Sequence, residues 1–264
     1  MTPTQSASDV VLVEVLEANI ALVTLNRPEA RNAVNGAVAQ ALEAAVTRVE
    51  ESREIRAAIL TSSQHKVFCA GADLAAIAAG RGLEVKTDRG GFAGFVDAPR
   101  IKPWIAVVEG AALAGGCEIV MSCDMIVASQ AARFGLPEVK RGLFAGARGV
   151  YRLPRRLPRN IGLELVATGD PLDATRAYGF GLVNRLTEPG GALDAAIELA
   201  RSIVTNAPLS VQESLTIARL CQDLNEDELQ ALCETAMKRV FASKDSREGP
   251  RAFVEKRQPV WLGE

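Results

Sequence analysis

The chain has 264 residues, 48% hydrophobic and 23% charged, with 30 Lys+Arg against 32 Asp+Glu and a formal net charge of -2. A mean hydropathy of +0.10 and a pI of about 5.7 describe a globular chain with a sizeable core and exclude the disordered, collagen-like and disulfide-rich classes. The near-neutral balance lacks the basic excess that counterion release on a duplex requires, so nucleic acid is excluded as a main partner.

No positive residue precedes Arg27, so the start of the sequence does not read as a secretory signal. Val11 to Leu16 and Ile20 to Leu25 are rich in branched residues and separated by Glu17, Ala18 and Asn19, which predicts a strand hairpin. Over residues 35 to 51, Val38, Leu42, Ala45, Val46 and Val49 recur at helical spacing and predict an amphipathic helix. Ala57 to Leu60, Ile105 to Val108 and Met125 to Val127 are short apolar runs that read as buried strands. Residues 80 to 91, with four glycines and mixed charge, read as a loop, either a substrate-facing lid or a solvated connector. Pro103 to Cys123 is the most membrane-like span, but Glu109 and Glu118 interrupt it, so no membrane helix is expected. From about residue 195 the pattern is almost purely helical: Ala195 to Val204, Leu209 to Leu220, Asp227 to Val240, and a short segment near Phe253. In the third of these, Leu229, Leu232, Ala236 and Val240 mark one face. An α/β core over residues 1–200 followed by a helical region over 201–264 is the expected organisation, and the cytoplasm the expected location.

Several familiar chemistries are missing. The glycines of Gly110 to Gly116 are followed by no Lys-Ser/Thr, so they form no phosphate loop, and neither G-x-G-x-x-G nor G-x-S-x-G is present. The five cysteines form no CxxC pair and leave an odd count, which suits a reducing compartment; Cys117 and Cys123 read as buried and inert. His65, the one histidine, lies in a polar turn that favours a surface role over catalysis. With no metal site expected, carboxylates and backbone remain.

Two small-residue turns each open a helix: Lys66-Val-Phe-Cys-Ala-Gly71-Ala72-Asp73-Leu74 and Ala112-Leu-Ala-Gly115-Gly116-Cys117-Glu118. Each presents unpaired N–H groups with little side chain to block a ligand, and two such donors on one oxygen make an oxyanion hole. Glu118, among Cys117, Ile119, Val120 and Met121, and Glu138, in Phe134-Gly-Leu-Pro-Glu138-Val139, are carboxylates in apolar settings, where pKa values rise. Taken singly, either acid reads equally well as a residue of a helix first turn.

Along nearly its whole length the chain resembles the enoyl-CoA hydratase/isomerase, or crotonase, superfamily. The resemblance rests on Leu25-Asn-Arg-Pro-Glu29 with Asn32-Ala33, Phe68-Cys-Ala-Gly-Ala-Asp-Leu74, Gly115-Gly-Cys-Glu118, Cys123-Asp124 and Phe134-Gly-Leu-Pro-Glu138. It continues through Ala177 with Gly181-Leu-Val-Asn184, Arg247-Glu-Gly249 and Phe253-Val-Glu-Lys256. It implies the crotonase (ClpP-like) spiral of ββα units with a helical C-terminal region, a homotrimer or dimer of trimers, an acyl-CoA thioester substrate and no cofactor. The family's oxyanion donors fall on the backbone N–H of Ala72 and Gly115, and its two hydratase glutamates on Glu118 and Glu138. Ala70, Ala72, Asp73, Leu74 and Gly115 match substrate- and CoA-contacting positions, and Phe253 and Lys256 match positions that reach a neighbouring subunit's CoA. The implied reaction is reversible hydration of a trans-2-enoyl-CoA, with a carnitinyl-CoA dehydratase-like, isomerase or non-catalytic acyl-CoA-binding member as alternatives. Tyr151 to Pro158 resembles the carnitinyl-CoA dehydratase branch. One departure is Gly142-Leu-Phe-Ala-Gly146-Ala-Arg148-Gly149, with Ala145 where the family often has proline and Arg148 in place of a glycine. Arg148 either narrows the acyl pocket, favours a polar acyl chain, or points to solvent.

Overall fold

The computed structural model describes residues 10–16 and 19–264. Its elements in chain order are β1 (Val11–Leu16), β2 (Ile20–Leu25), α1 (Gly36–Glu51), β3 (Ala57–Ser62), β4 (Val67–Cys69), α2 (Leu74–Ala78), β5 (Lys86–Thr87) and β6 (Gly91–Phe92). They continue with β7 (Trp104–Val108), β8 (Ala111–Leu113), α3 (Gly115–Ser122), β9 (Met125–Ser129), β10 (Arg133–Gly135), α4 (Gly149–Arg155) and α5 (Arg159–Thr168). The chain ends in β11 (Leu172–Asp173), α6 (Ala174–Gly179), β12 (Arg185–Thr187), α7 (Ala192–Val204), α8 (Pro208–Ala218), α9 (Glu226–Ala242) and α10 (Asp245–Val254).

The expected hairpin is present: β1 and β2 pair antiparallel from Val11 opposite Leu25 to Leu16 opposite Ile20. Of its turn, Glu17 and Ala18 lie outside the described residues. A six-stranded sheet follows in the order β1-β2-β3-β7-β9-β12, parallel apart from that hairpin. A smaller sheet, β11-β10-β8-β4, is parallel through β4, β8 and β10. The chain alternates between the two: β3 leads to β4 and α2, β7 to β8 and α3, and β9 to β10 and the 3-10 turn Pro137–Arg141. This is the ββα spiral.

Because β3, β7 and β9 are covered on both faces, their sequences are continuous apolar runs rather than alternating ones. Alternate residues serve different layers. Ala58, Leu60, Ala106, Val108, Ile126 and Ala128 join the main core, while Ala57, Ile59, Ile105, Val107 and Val127 meet α7. That helix presents Ala192, Ala196, Ala200 and Val204, a small-residue stripe at every fourth position that brings the helix close to the sheet. Residue 200 therefore lies inside a helix of the core, and the chain leaves the sheet only beyond Val204.

Arg219, just past α8, ties the C-terminal helices back to the sheet. Its Nε and Nη2 donate to the two Asp124 carboxylate oxygens at 2.7 and 2.8 Å, and it reaches the carbonyls of Arg100 and Lys102 at 2.6 and 2.8 Å. On α9, Leu229, Ala236 and Val240 face inward as expected, while Leu232 stands at the exposed margin of that face. Among the described residues no helix is long and apolar enough to cross a membrane. Arg219→Met breaks the fork and both carbonyl bonds but leaves Asp124 its bond from the Trp104 N–H at 2.8 Å. A loss of about 2 kcal/mol is expected, below the cost of stranding a fully buried charge. Urea unfolding with a lower midpoint and unchanged slope is the check.

Candidate active site

The spiral places one loop after each small-sheet strand, and the three loops meet. Ala72 follows β4, Gly115 follows β8 and Glu138 follows β10. Since β4, β8 and β10 pair in parallel, all three loops leave the same edge and open onto one cavity of about 600 Å³. Ala70, Ala72, Leu74, Gly115, Glu118 and Glu138 all line it.

The first loop is fixed from behind by the Asn-Arg-Pro segment. Asn32, buried with φ 52, donates to the Phe68 carbonyl at 2.9 Å and to the Ser62 hydroxyl at 2.8 Å, and accepts from the Arg27 N–H at 2.8 Å. Val34 bridges to the loop: its N–H donates to the Gly71 carbonyl, and the Asp73 N–H donates to the Val34 carbonyl. That pattern skips the Ala72 N–H, which no carbonyl of the described residues accepts.

In the second loop Ala114 holds φ 53 and ψ -130, a conformation ordinarily left to glycine. Its N–H donates to the Gly135 carbonyl at 2.9 Å and its own carbonyl caps the first turn of α3, accepting from Cys117 and Glu118. The sharp reversal leaves the Gly115 N–H without a protein acceptor among the described residues. Closeness explains the glycines. A Cβ on Gly116 would lie 2.1 Å from the Cys69 carbonyl oxygen, one on Gly71 2.8 Å from the Ala114 Cβ, and one on Gly115 2.3 Å from the Phe92 ring.

Glu118 projects from the first turn of α3 and is 3% exposed. Its Oε1 accepts from the Gly149 N–H at 2.9 Å, at the start of α4. Burial raises its pKa to about 7, with the nearby Glu138 charge acting the same way; the Gly149 and Ala147 N–H groups and the Arg152 charge oppose the rise. Burial also raises Glu138, against an opposing charge on Arg141. Its Oε2 is buried without a hydrogen-bond partner among the described residues, so a polar ligand in the cavity is its natural complement.

Other expected residues are placed differently. The Asp73 carboxylate does not line the cavity: it caps α2, accepting from Ala75 and Ala76, and receives Arg27 Nη1 at 2.7 Å, a contact that lowers its pKa. Phe253, in α10, is 85% exposed, and neither it nor Lys256 lines the cavity of its own chain. Arg148 turns away from the cavity to pair with Asp97. His65 is exposed, while Cys69, Cys117 and Cys123 are buried thiols pushed to about 12. Residues 80–91 form a 3-10 turn, Gly82–Val85, and then the hairpin of β5 and β6, which brings Val85, Lys86 and Phe92 to the cavity wall. Phe92 carries no signal of its own in the sequence. The parts played by Arg27 and Gly149 follow only from contacts 46 and 31 residues distant.

A family model described as enoyl-CoA hydratase/isomerase matches residues 16–264. The chain belongs to the enoyl-CoA hydratase/isomerase family. It is similar to a carnitinyl-CoA dehydratase of Salmonella arizonae, 39% identical over 246 residues, which span 91% of this chain and 94% of that relative. Among solved structures, an enoyl-CoA hydratase from Mycobacterium tuberculosis superposes with a TM-score of 0.92 at 46% identity, covering 97% of this chain and all of the other. A carnitinyl-CoA hydratase from Mycobacterium avium gives 0.77 at 44% identity, with coverage of 97% and 99%. The crotonase-type α/β spiral with its helical C-terminal region is thus the fold of this chain.

Two outcomes follow from this geometry. Gly116→Ala drives a methyl into the Cys69 carbonyl, so the two loops separate; a loss of about 2–3 kcal/mol in denaturant unfolding is expected. Glu118→Gln has the opposite sign. A carboxyl with a folded pKa of about 7 and an unfolded value of 4.5 holds its proton more tightly when folded, so its contribution to stability falls as pH rises through that window. At pH 8 the buried charge costs about 2 kcal/mol, a discounted reading of roughly 1.4 kcal/mol per pKa unit. The amide keeps the acceptor for Gly149, so Glu118→Gln raises the melting temperature at pH 8 and leaves it nearly unchanged at pH 4, as calorimetry at both pH values will register.

Proposed function

We propose that the chain is a hydro-lyase that reversibly adds water across the double bond of a trans-2-enoyl-CoA thioester. One observation carries the reading: two carboxylates with raised pKa values, Glu118 buried and Glu138 half-buried, share a cavity with two backbone N–H groups that have no acceptor among the described residues.

The conjugated thioester accumulates negative charge on its carbonyl oxygen as water adds at Cβ. The Ala72 and Gly115 N–H groups are the donors for that oxygen, each worth about 3 kcal/mol in sites of this kind. Because both are held by backbone already fixed in the spiral, neither reorganises during the reaction. Glu118 acts as base toward the attacking water and Glu138 delivers the proton at Cα, so both groups add from one face. The pair works with a single proton between its members, and burial together with mutual repulsion keeps that proton bound near neutral pH. Its apparent pKa values belong to the pair. No cofactor takes part, since CoA is a portion of the substrate.

Arg31, Lys86 and Arg141 at the cavity wall supply positive charge for the CoA phosphates, and Leu74, Ile77, Leu143 and Phe144 supply apolar surface for the pantetheine and acyl chain. Asp73 serves this cavity by positioning its loop, through Arg27. Met237, Phe241, Phe253 and Val254 on the C-terminal helices are exposed apolar side chains that a second copy would cover. This supports a homotrimer or dimer of trimers, with residues beyond 200 as its oligomerisation region, and gives Phe253 and Lys256 a place at a neighbour's CoA. A cytoplasmic enzyme of fatty-acid β-oxidation accords with this substrate class.

A second reading, dehydration of a carnitinyl-CoA-type substrate, is favoured by the 39% identity to carnitinyl-CoA dehydratase. It uses the same groups in the same roles. Arg148, paired outside the cavity, does not bar a cationic acyl chain.

With crotonyl-CoA, loss of the conjugated-thioester absorbance is the assay. Glu118→Gln and Glu138→Gln are each expected to lower kcat by about 10²–10⁴, the usual worth of a positioned acid or base; full activity in both variants overturns the mechanism. The pH profile of kcat/KM is a bell. Its alkaline limb falls as the pair loses its last proton near pH 7, and its acid limb falls as the second carboxylate protonates. A substrate panel including crotonobetainyl-CoA separates the readings, and a shifted double bond without solvent oxygen in the product marks an isomerase instead.

A further inference from the structure

At the C-terminal end of α3, one turn beyond Glu118, lies a second cavity, of about 340 Å³, lined there by Met121 and Ser122, which the proposed hydration does not use. Six arginines line it: Arg100, Arg148, Arg152, Arg155, Arg156 and Arg219. Three are matched by carboxylates in the same wall: Arg148 by Asp97, Arg155 by Asp223 at 2.6 Å, and Arg219 by Asp124 at 2.7 Å. Among the described residues, Arg100, Arg152 and Arg156 form no ion pair. Their guanidinium groups donate to neutral acceptors: Arg100 to the Phe95 and Ser122 carbonyls, Arg152 to the Ser122 hydroxyl at 2.5 Å, and Arg156 to the Cys123 carbonyl at 3.0 Å.

The wall thus carries positive charge in excess. Burial lowers the pKa of all three, that of Arg152 to about 10, and the like charges of Arg148, Arg100 and Arg156 deepen the effect on Arg152. Guanidinium groups crowded around a void are unfavourable neighbours unless something of opposite charge lies between them. The planar forks of arginine match the geometry of an oxyanion with several acceptor oxygens, and each such bond is charge-assisted. Carbonyl oxygens satisfy some of the donors but bring no negative charge.

We propose that this cavity is a binding site for a phosphoryl oxyanion, separate from the acyl-CoA cavity. Free phosphate and a phosphate monoester carried by a larger molecule share the chemistry. The site bears on Glu118 by two routes. Ser122 accepts from Arg152 and donates to the Glu118 carbonyl at 2.7 Å, and Arg148 directly precedes Gly149, whose N–H holds the Glu118 carboxylate. A bound oxyanion offsets the Arg152 charge, which opposes the rise in the Glu118 pKa. Phosphate therefore moves the alkaline limb of kcat/KM upward. This second effect rests on the proposed hydratase activity; the binding does not.

The test is calorimetric titration of the full chain at constant ionic strength with inorganic phosphate and, separately, glycerol phosphate, with chloride as the blank. Saturable binding of either supports the site, and the tighter of the two identifies its source. Arg155→Gln, at a half-exposed position, is expected to weaken binding about tenfold, one charge-assisted bond's worth. Asp223→Asn removes a negative charge from the same wall and tightens binding several-fold. Neither residue lies in the core, so both variants retain the fold, which far-ultraviolet circular dichroism checks. Absence of saturable heat with both anions, or an affinity indifferent to both substitutions, overturns the proposal. Binding with an unmoved alkaline limb overturns the coupling to Glu118, and a chain inactive on every enoyl-CoA still leaves the titration to decide the site.

Discussion

The parallel pairing of β4, β8 and β10 is the constraint on which the cavity depends. Each of these strands has three residues, far too few to be stable alone. They exist because each is the second strand of a ββα unit whose first strand is buried in the six-stranded sheet. Parallel register then forces the three following loops to the same edge. The N–H groups of Ala72 and Gly115 and the backbone that carries Glu138 are therefore fixed relative to one another by backbone hydrogen bonds. Side-chain packing enters chiefly at Glu118, and there the Gly149 N–H supplies the anchor.

Strain and charge are concentrated where this frame meets the cavity. Ala114 and Arg148, non-glycine residues with φ of 53 and 76, each stand immediately before a glycine whose N–H faces inward: Gly115 toward the cavity, Gly149 toward Glu118. Such backbone costs on the order of 1 kcal/mol or more at each position, and it persists because sheet pairing on one side and a helix start on the other leave no other path. The two carboxylates are held in the same way. Two acids with few protein partners oppose folding at neutral pH, and a core that fills both faces of the large sheet carries them. Stability and the proposed chemistry thus pull against each other at Glu118.

What could be read from the sequence was whatever depends on local pattern. The hairpin, α1 and the buried strands β3, β7 and β9 appear as apolar runs with the right period, and the small-residue turns marked both donor loops. Glu118 and Glu138 stood out because carboxylates in apolar stretches are costly. The resemblance to the family joined those parts and supplied the spiral, which periodicity alone does not specify. Direction was not legible. Asp73 was expected to face a ligand, yet an arginine 46 residues earlier takes its carboxylate. Arg148 left three readings open, and Asp97 decides among them by a contact that no spacing rule encodes. Residues 80–91 read as a lid or a connector because nine of the twelve positions are glycine or charged; Val85 among them and Phe92 just after them are buried in the main core, Phe92 beside Gly115.

The shortness of α3 gives the two cavities their relation. Eight residues make about two turns, and Glu118 at the acyl cavity and Ser122 at the arginines share one face of the helix, about 6 Å apart along its axis. Glu118 and Ser122 are one turn apart and joined by the serine's bond to the Glu118 carbonyl. A charge bound beside Ser122 therefore lies about one helical turn from Glu118, near enough to act on its carboxylate through space. No shift of the loops that hold Ala72 and Gly115 is needed for that action. On the proposed reading, the Ala72 and Gly115 N–H groups stay in place while the proton affinity of the glutamate pair varies, so a ligand in the arginine-lined cavity tunes the acid/base step and leaves thioester binding untouched.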